Sequence, residues 1–82
     1  MQYKSKYIIV DNNNGIIPVV FTELATHKDV ARGFMPGVIL GAGFCWINGY
    51  GRYECYGEST SLDVKSRGDD DSKLLNKFLG VD

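Results

Sequence analysis

The sequence is short of most of the groups that announce a chemistry. It holds one histidine, two cysteines and two prolines in 82 residues. No apolar run approaches the ~20 residues of a membrane-spanning helix, so no membrane partner is expected. Charge of neither sign dominates: nine basic and ten acidic residues leave a net charge of -1. The basic residues are scattered from Lys4 to Lys77 and form no stripe, which argues against nucleic acid, whose phosphates demand concentrated positive charge. Cys45 and Cys55 stand ten residues apart. That is neither a C-x-x-C nor a zinc spacing, and two cysteines are too few for a disulfide framework. Both read as small, reduced, buried hydrophobes. The aspartate run Asp69-Asp70-Asp71 lacks the alternation and glycine of a calcium loop. No metal or cofactor is expected. The opening "MQYKSKYIIVD" meets charge and a turn too early for a signal peptide, so the expected location is the cytoplasm.

What is abundant is glycine and aromatic residues, ten of each. The length makes a single domain, 1–82. "KYIIVDNNNGIIPVVF" reads as a β-hairpin whose Asn and Gly residues tolerate the positive φ of tight turns, with Pro18 marking an edge strand. Thr26 and Asp29 fit a capping box that opens a short helix ended by Gly33. Residues 37–47 and 52–60 read as a second hairpin. A three-residue loop over 49–51 sets Cys45 opposite Cys55, and a two- or four-residue loop sets Phe44 there instead. Leu62 and Val64 extend its second strand beyond a kink near Gly57. A final helix has Asp69–Asp71 in its first turn and Ser66 or Gly68 as cap. Its apolar stripe is Leu74, Leu75, Phe78 and Leu79, and Gly80 ends it with Val81 folding back onto Leu75. The expected fold is α+β, a four-stranded antiparallel sheet in β-β-α-β-β-α order with the helices on one face.

Four stretches invite a functional reading. "VILGAGFCW" opens like a dinucleotide-binding loop, but Trp46 stands where the third glycine should be and a hairpin follows instead of a helix. Gly41 and Gly43 then serve to relieve crowding where aromatic rings cross the strand. Trp46, Tyr50, Tyr53 and Tyr56 form a candidate partner-binding platform, and the plainer reading puts about half of such rings in the core. Glu58, Ser59, Ser61, Lys65 and Arg67 form an alternative site for a small ligand or nucleotide, and turn and cap formation equally explains the serines. For catalysis, only His27 with Cys45, Cys55 or Ser59 offers a base and a nucleophile, and the sequence does not bring them together. No catalytic residue is assigned.

The pattern "GAGFC…CYGESTSLDVKSR…DSKLLNKFLG" resembles short open reading frames carried by bacteriophages and prophages, with the likeness running from "YIIVDNN" onward. The resemblance implies a small accessory protein in a bacterial cytosol and carries no functional residue. The resulting expectation is a non-enzymatic protein that binds a host or phage protein through the aromatic hairpin, inhibition of a host factor being one form of that action. Self-association is expected as well. An 82-residue monomer leaves over about a third of its unfolded-chain surface exposed. Strands that are apolar on both faces also need more cover than helices on one face supply, and a two-fold partner is the commonest source.

Overall fold

In the computed structural model, which describes residues 4–80, β1 (Ser5–Asn12) lies inside a sheet of order β2-β1-β3-β4. Its neighbours are β2 (Gly15–Thr22) and β3 (Val38–Ile47), and β4 (Tyr53–Tyr56) pairs with the far side of β3, all antiparallel. The helix α1 (His27–Arg32) links β2 to β3. After β4 a two-stranded hairpin, β5 (Glu58–Ser59) and β6 (Val64–Lys65), precedes α2 (Asp69–Phe78). The α+β class and the four antiparallel strands are as expected. The element order carries this extra hairpin. Leu62 and Val64 do not extend β4, because Gly57 at φ 78° turns the chain out of the sheet.

The helices lie on opposite faces of the sheet, not on one. Tyr7, Ile8, Ile9 and Val10 are all fully buried. Alternation along a strand sends Tyr7 and Ile9 one way and Ile8 and Val10 the other. On the first face Tyr7 and Ile9 pack with Cys45, Cys55 and Leu75 of α2. On the second, Ile8, Val10 and Ala42 pack with Ala31 of α1, with Leu62 and Val64 closing over them. A strand apolar in both phases requires two covers, and this chain supplies both. The open face from which self-association was expected is therefore absent over β1.

The two sheet edges are finished differently. β2 is an edge strand, as Pro18 predicted. The Asn48 N–H donates to the Arg52 carbonyl, and alternation of the ladder from there turns the missing Pro18 donor outward. The same alternation turns the Tyr53 backbone and the Cys55 N–H away from β3. There α2 meets them: Asn76 Oδ1 accepts from Tyr53 N–H at 2.8 Å, Asn76 Nδ2 donates to the Tyr53 carbonyl at 3.2 Å, and Ser72 Oγ accepts from Cys55 N–H at 2.9 Å. Two side chains one helical turn apart thus stand in for a fifth strand. Asn76→Ala is expected to cost about 1–2 kcal/mol, the value of two hydrogen bonds to an edge that water then reaches. Chemical denaturation reads the loss, and hydrogen exchange at Tyr53 should accelerate more than at Tyr7.

Local signals place the remaining turns. Thr26 Oγ1 accepts from the Asp29 N–H at 3.1 Å, and Gly33 closes α1. In the first hairpin Asn13 and Asn14 keep ordinary φ. The Asn12 side chain accepts from the Asn14 N–H, and the positive φ falls on Gly15. The second hairpin takes the three-residue loop, with Gly51 at φ 76° and Cys45 opposite Cys55. Gly68, not Ser66, occupies the N-cap of α2, without a side-chain cap bond. Gly80 has the positive φ expected after a helix end, and the fold-back of Val81 lies outside the described residues. On α2, Leu75 is fully buried, whereas Phe78 and Leu79 are half-exposed. The buried positions are Asp71, Leu75 and Asn76, so the helix is rotated toward β4 relative to its apolar stripe.

Candidate functional site

The glycines of "GAG" admit groups other than aromatic rings. A Cβ at Gly41 would fall inside the Asp71 carboxylate, and one at Gly43 would collide with the Tyr56 carbonyl and the backbone of Gly57. Only Gly57 faces a ring, with Phe44 3.1 Å from where its Cβ would be. Asp71 is fully buried against the sheet. Its Oδ2 accepts from the Tyr7 hydroxyl at 2.6 Å and from the Arg67 N–H at 2.9 Å, and Oδ1 accepts from Arg67 Nε at 2.7 Å. Tyr7 also sits 2.6 Å from Ser66 Oγ. Burial, and then donation to Asp71, holds the Tyr7 phenol protonated well above its usual range. Among the described residues no buried side-chain polar atom lacks a partner. A charge so fully matched is a latch that docks α2 on β1 and β3. In the sequence Asp71 stands only as one of three dipole-matching aspartates. Its spacing of four from Leu75, which sets both on one helix face, was the available signal.

The aromatic platform divides in two. Phe44 pairs with Tyr56 and Trp46 with Glu54 across β3 and β4, which sets these four on the α1 side of the sheet. Their neighbours confirm the side. His27 lies edge-on to Phe44 at 5.9 Å and to Phe21 at 5.5 Å, Phe44 lies 6.0 Å from Tyr56, and Lys4 Nζ stands 4.5 Å from the Phe44 ring centre. Trp46 and Phe44 are half-buried, and Tyr56 is 42% exposed. Tyr53 points to the opposite face, where it packs against the core beneath α2. Tyr50 sits at the hairpin tip, 91% exposed. Of the four candidates, only Trp46 and Tyr56 share a surface. Odd and even strand positions cannot face the same way, which is what separates Tyr53 from them.

In the 58–67 passage Ser59 and Arg67 are engaged in the fold, while Glu58, Ser61 and Lys65 are exposed. Glu58 and Lys65 are directly paired in the β5–β6 hairpin. Ser59 is buried, its Oγ accepts from the Leu62 N–H at 3.2 Å, and Ser61 Oγ lies 3.4 Å from it. Arg67 is bound to Asp71. An open depression of about 230 Å³ lies away from this passage, between Asp11, Asn12, Phe34, Pro36 and Val38, and is below the size of ordinary ligand pockets.

His27 is buried, and its Nε2 meets the Gly43 carbonyl at 2.7 Å. A carbonyl only accepts, so Nε2 carries the proton. Burial lowers the imidazole's basicity, the Gly43 bond partly offsets this, and nearby Lys6 lowers it further. Cys45 and Cys55 lie across the sheet from His27, so neither thiol has that base in reach. Burial pushes the Cys45 thiol up to about 12 and the Cys55 thiol up to about 11. Among the described residues, no group of three or more His, Cys, Asp or Glu is placed to hold a metal ion. No helix among them is long and apolar enough to cross a membrane. No family model, curated protein or solved structure matches the chain.

Proposed function

We propose that this is a small non-enzymatic accessory protein of a bacteriophage or prophage, working in the bacterial cytoplasm by binding another protein through the α1 side of the β3–β4 hairpin. One observation carries the reading. Phe44, Trp46 and Tyr56 form a partly exposed aromatic patch, with Lys4 and Glu54 at its rim and His27 beneath it. Trp and Tyr supply large contact area at little conformational cost, and charged groups around them set orientation, which is the anatomy of a protein-binding hot spot. On this hairpin the capped edge of β4 favours docking by side chains over strand addition. Self-association belongs to the same proposal and uses the same face.

The expected result is a solution mass of at least twice 9.1 kDa at micromolar concentration, falling toward 9.1 kDa in Trp46→Glu. Tyr53→Glu should unfold the domain, because that ring packs on the core. Light scattering across a wide concentration range reads the mass. A wild-type mass of 9.1 kDa throughout refutes self-association. Affinity capture from bacterial lysate then addresses a foreign partner, and equal capture by the folded wild type and Trp46→Glu would refute the aromatic face.

A further inference from the structure

The most unusual pairing in the sheet is Cys45 with Cys55. They are directly opposite on β3 and β4, and both are buried and free. The ladder parity that turns the Cys55 N–H toward Ser72 makes this a non-hydrogen-bonded pair. At such pairs the Cα atoms of antiparallel strands lie about 4.5 Å apart, with the side chains on one face and close together. A disulfide accepts Cα separations of about 4.4–6.8 Å, so the backbone already satisfies it. We propose that Cys45 and Cys55 form a redox-sensitive clasp, two thiols that close into a cross-strand disulfide when the protein meets a peroxide.

The surroundings give the clasp its order of events. Cys55 is 8% exposed and Cys45 fully buried, so Cys55 is the residue nearer to solvent and the first that a small oxidant meets. The Cys55 thiol gives up its proton, and its sulfur attacks hydrogen peroxide. The O–O bond breaks, a sulfenic acid forms and hydroxide leaves to be protonated to water. Cys45 then loses its proton and attacks the sulfenic sulfur, forming the S–S bond and releasing the hydroxyl as a second water. In total two thiols give two electrons and two protons to one peroxide, yielding one disulfide and two waters. High thiol pKa values make the attack slow in the closed protein, so it proceeds when β4 or α2 opens locally. Cys55 also adjoins the latch region: its N–H donates to Ser72 Oγ, and it packs with Tyr7 in the core beneath α2. Closing the clasp therefore changes a contact beneath α2 while tying together the two strands that carry Phe44, Trp46 and Tyr56 on their other side. The chemistry of the pair does not rest on the docking reading.

The test treats the reduced full-length protein with excess hydrogen peroxide, denatures it, alkylates any remaining thiol and measures intact mass and peptide connectivity. The expected product is a single chain with both thiols lost together and a Cys45–Cys55 linked peptide two hydrogens lighter than its reduced parts, restored by a thiol reductant, with any added oxygen confined to the methionine peptides. Trp46→Glu should behave identically, whatever that substitution does to binding. Cys45→Ser should leave Cys55 without an internal partner and give no such product. The proposal is overturned if both thiols still alkylate after oxidation, if the cysteine peptides gain oxygen instead of losing hydrogen, or if the disulfides join separate chains.

Discussion

Asp71→Ala is expected to destabilise the domain by about 3 kcal/mol or more. Removing one partner of a buried pair costs about 3–5 kcal/mol, because the group left behind is neither solvated nor matched. The Arg67 side chain is 36% exposed, and solvent screening of its freed charge keeps the estimate at the lower end. The Tyr7 hydroxyl keeps Ser66 Oγ as an acceptor when the carboxylate is removed, and Tyr7→Phe, which leaves the buried Asp71 without that donor, is expected to cost about 1–3 kcal/mol. Gly41→Ala attacks the same latch from the other side. Its methyl group must displace the carboxylate, and overpacking of this kind costs about 1–3 kcal/mol. The control is Asp70→Ala on the exposed side of the same helical turn, where only the helix dipole is affected and the loss stays below about 1 kcal/mol. Urea denaturation of the four variants gives the ordering directly. Equal midpoints for Asp71→Ala and Asp70→Ala would mean that Asp71 is solvated after all.

Leu75→Ala is the second large effect, at about 2–5 kcal/mol. The side chain is fully buried where α2 crosses Tyr7, Ile9 and both cysteines, so its removal leaves a cavity that a sheet cannot collapse into. A domain of this length has a total stability of only about 4–12 kcal/mol, and the upper part of the range would unfold much of it. Phe78→Ala, which the helical stripe alone would rank beside it, should cost about 1 kcal/mol, because Phe78 is 51% exposed. Thermal melts of the pair distinguish the two. A Phe78→Ala loss as large as that of Leu75→Ala would require α2 to be rotated on the sheet.

The sequence by itself determined whatever depends on neighbours along the chain. Thr26 with Asp29 set the start of α1, Pro18 marked an edge strand, and Gly51 belonged to a loop whose length decides the partner of Cys45. Each is a matter of local backbone geometry and needs no knowledge of what packs above it. The aromatic site was legible as a list of residues and not as a surface. The alternation that carries Tyr53 away from Trp46 and Tyr56 follows from the register, which the sequence left open between loop lengths. Only the tertiary structure decided which face each helix covers. β1 is apolar in both phases, so its pattern is compatible with one cover from this chain and one from another, and the turn at Gly57 settles the matter by sending β5 and β6 over the second face. Only the tertiary structure singled out Asp71 from its two neighbours, made Gly41 the space for a carboxylate, and set Ser72 and Asn76 against the open edge of β4. These are contacts between residues 17 to 64 positions apart. A polar side chain bonded to a distant partner reads in sequence like one facing water, because only the approach of that partner makes its burial tolerable.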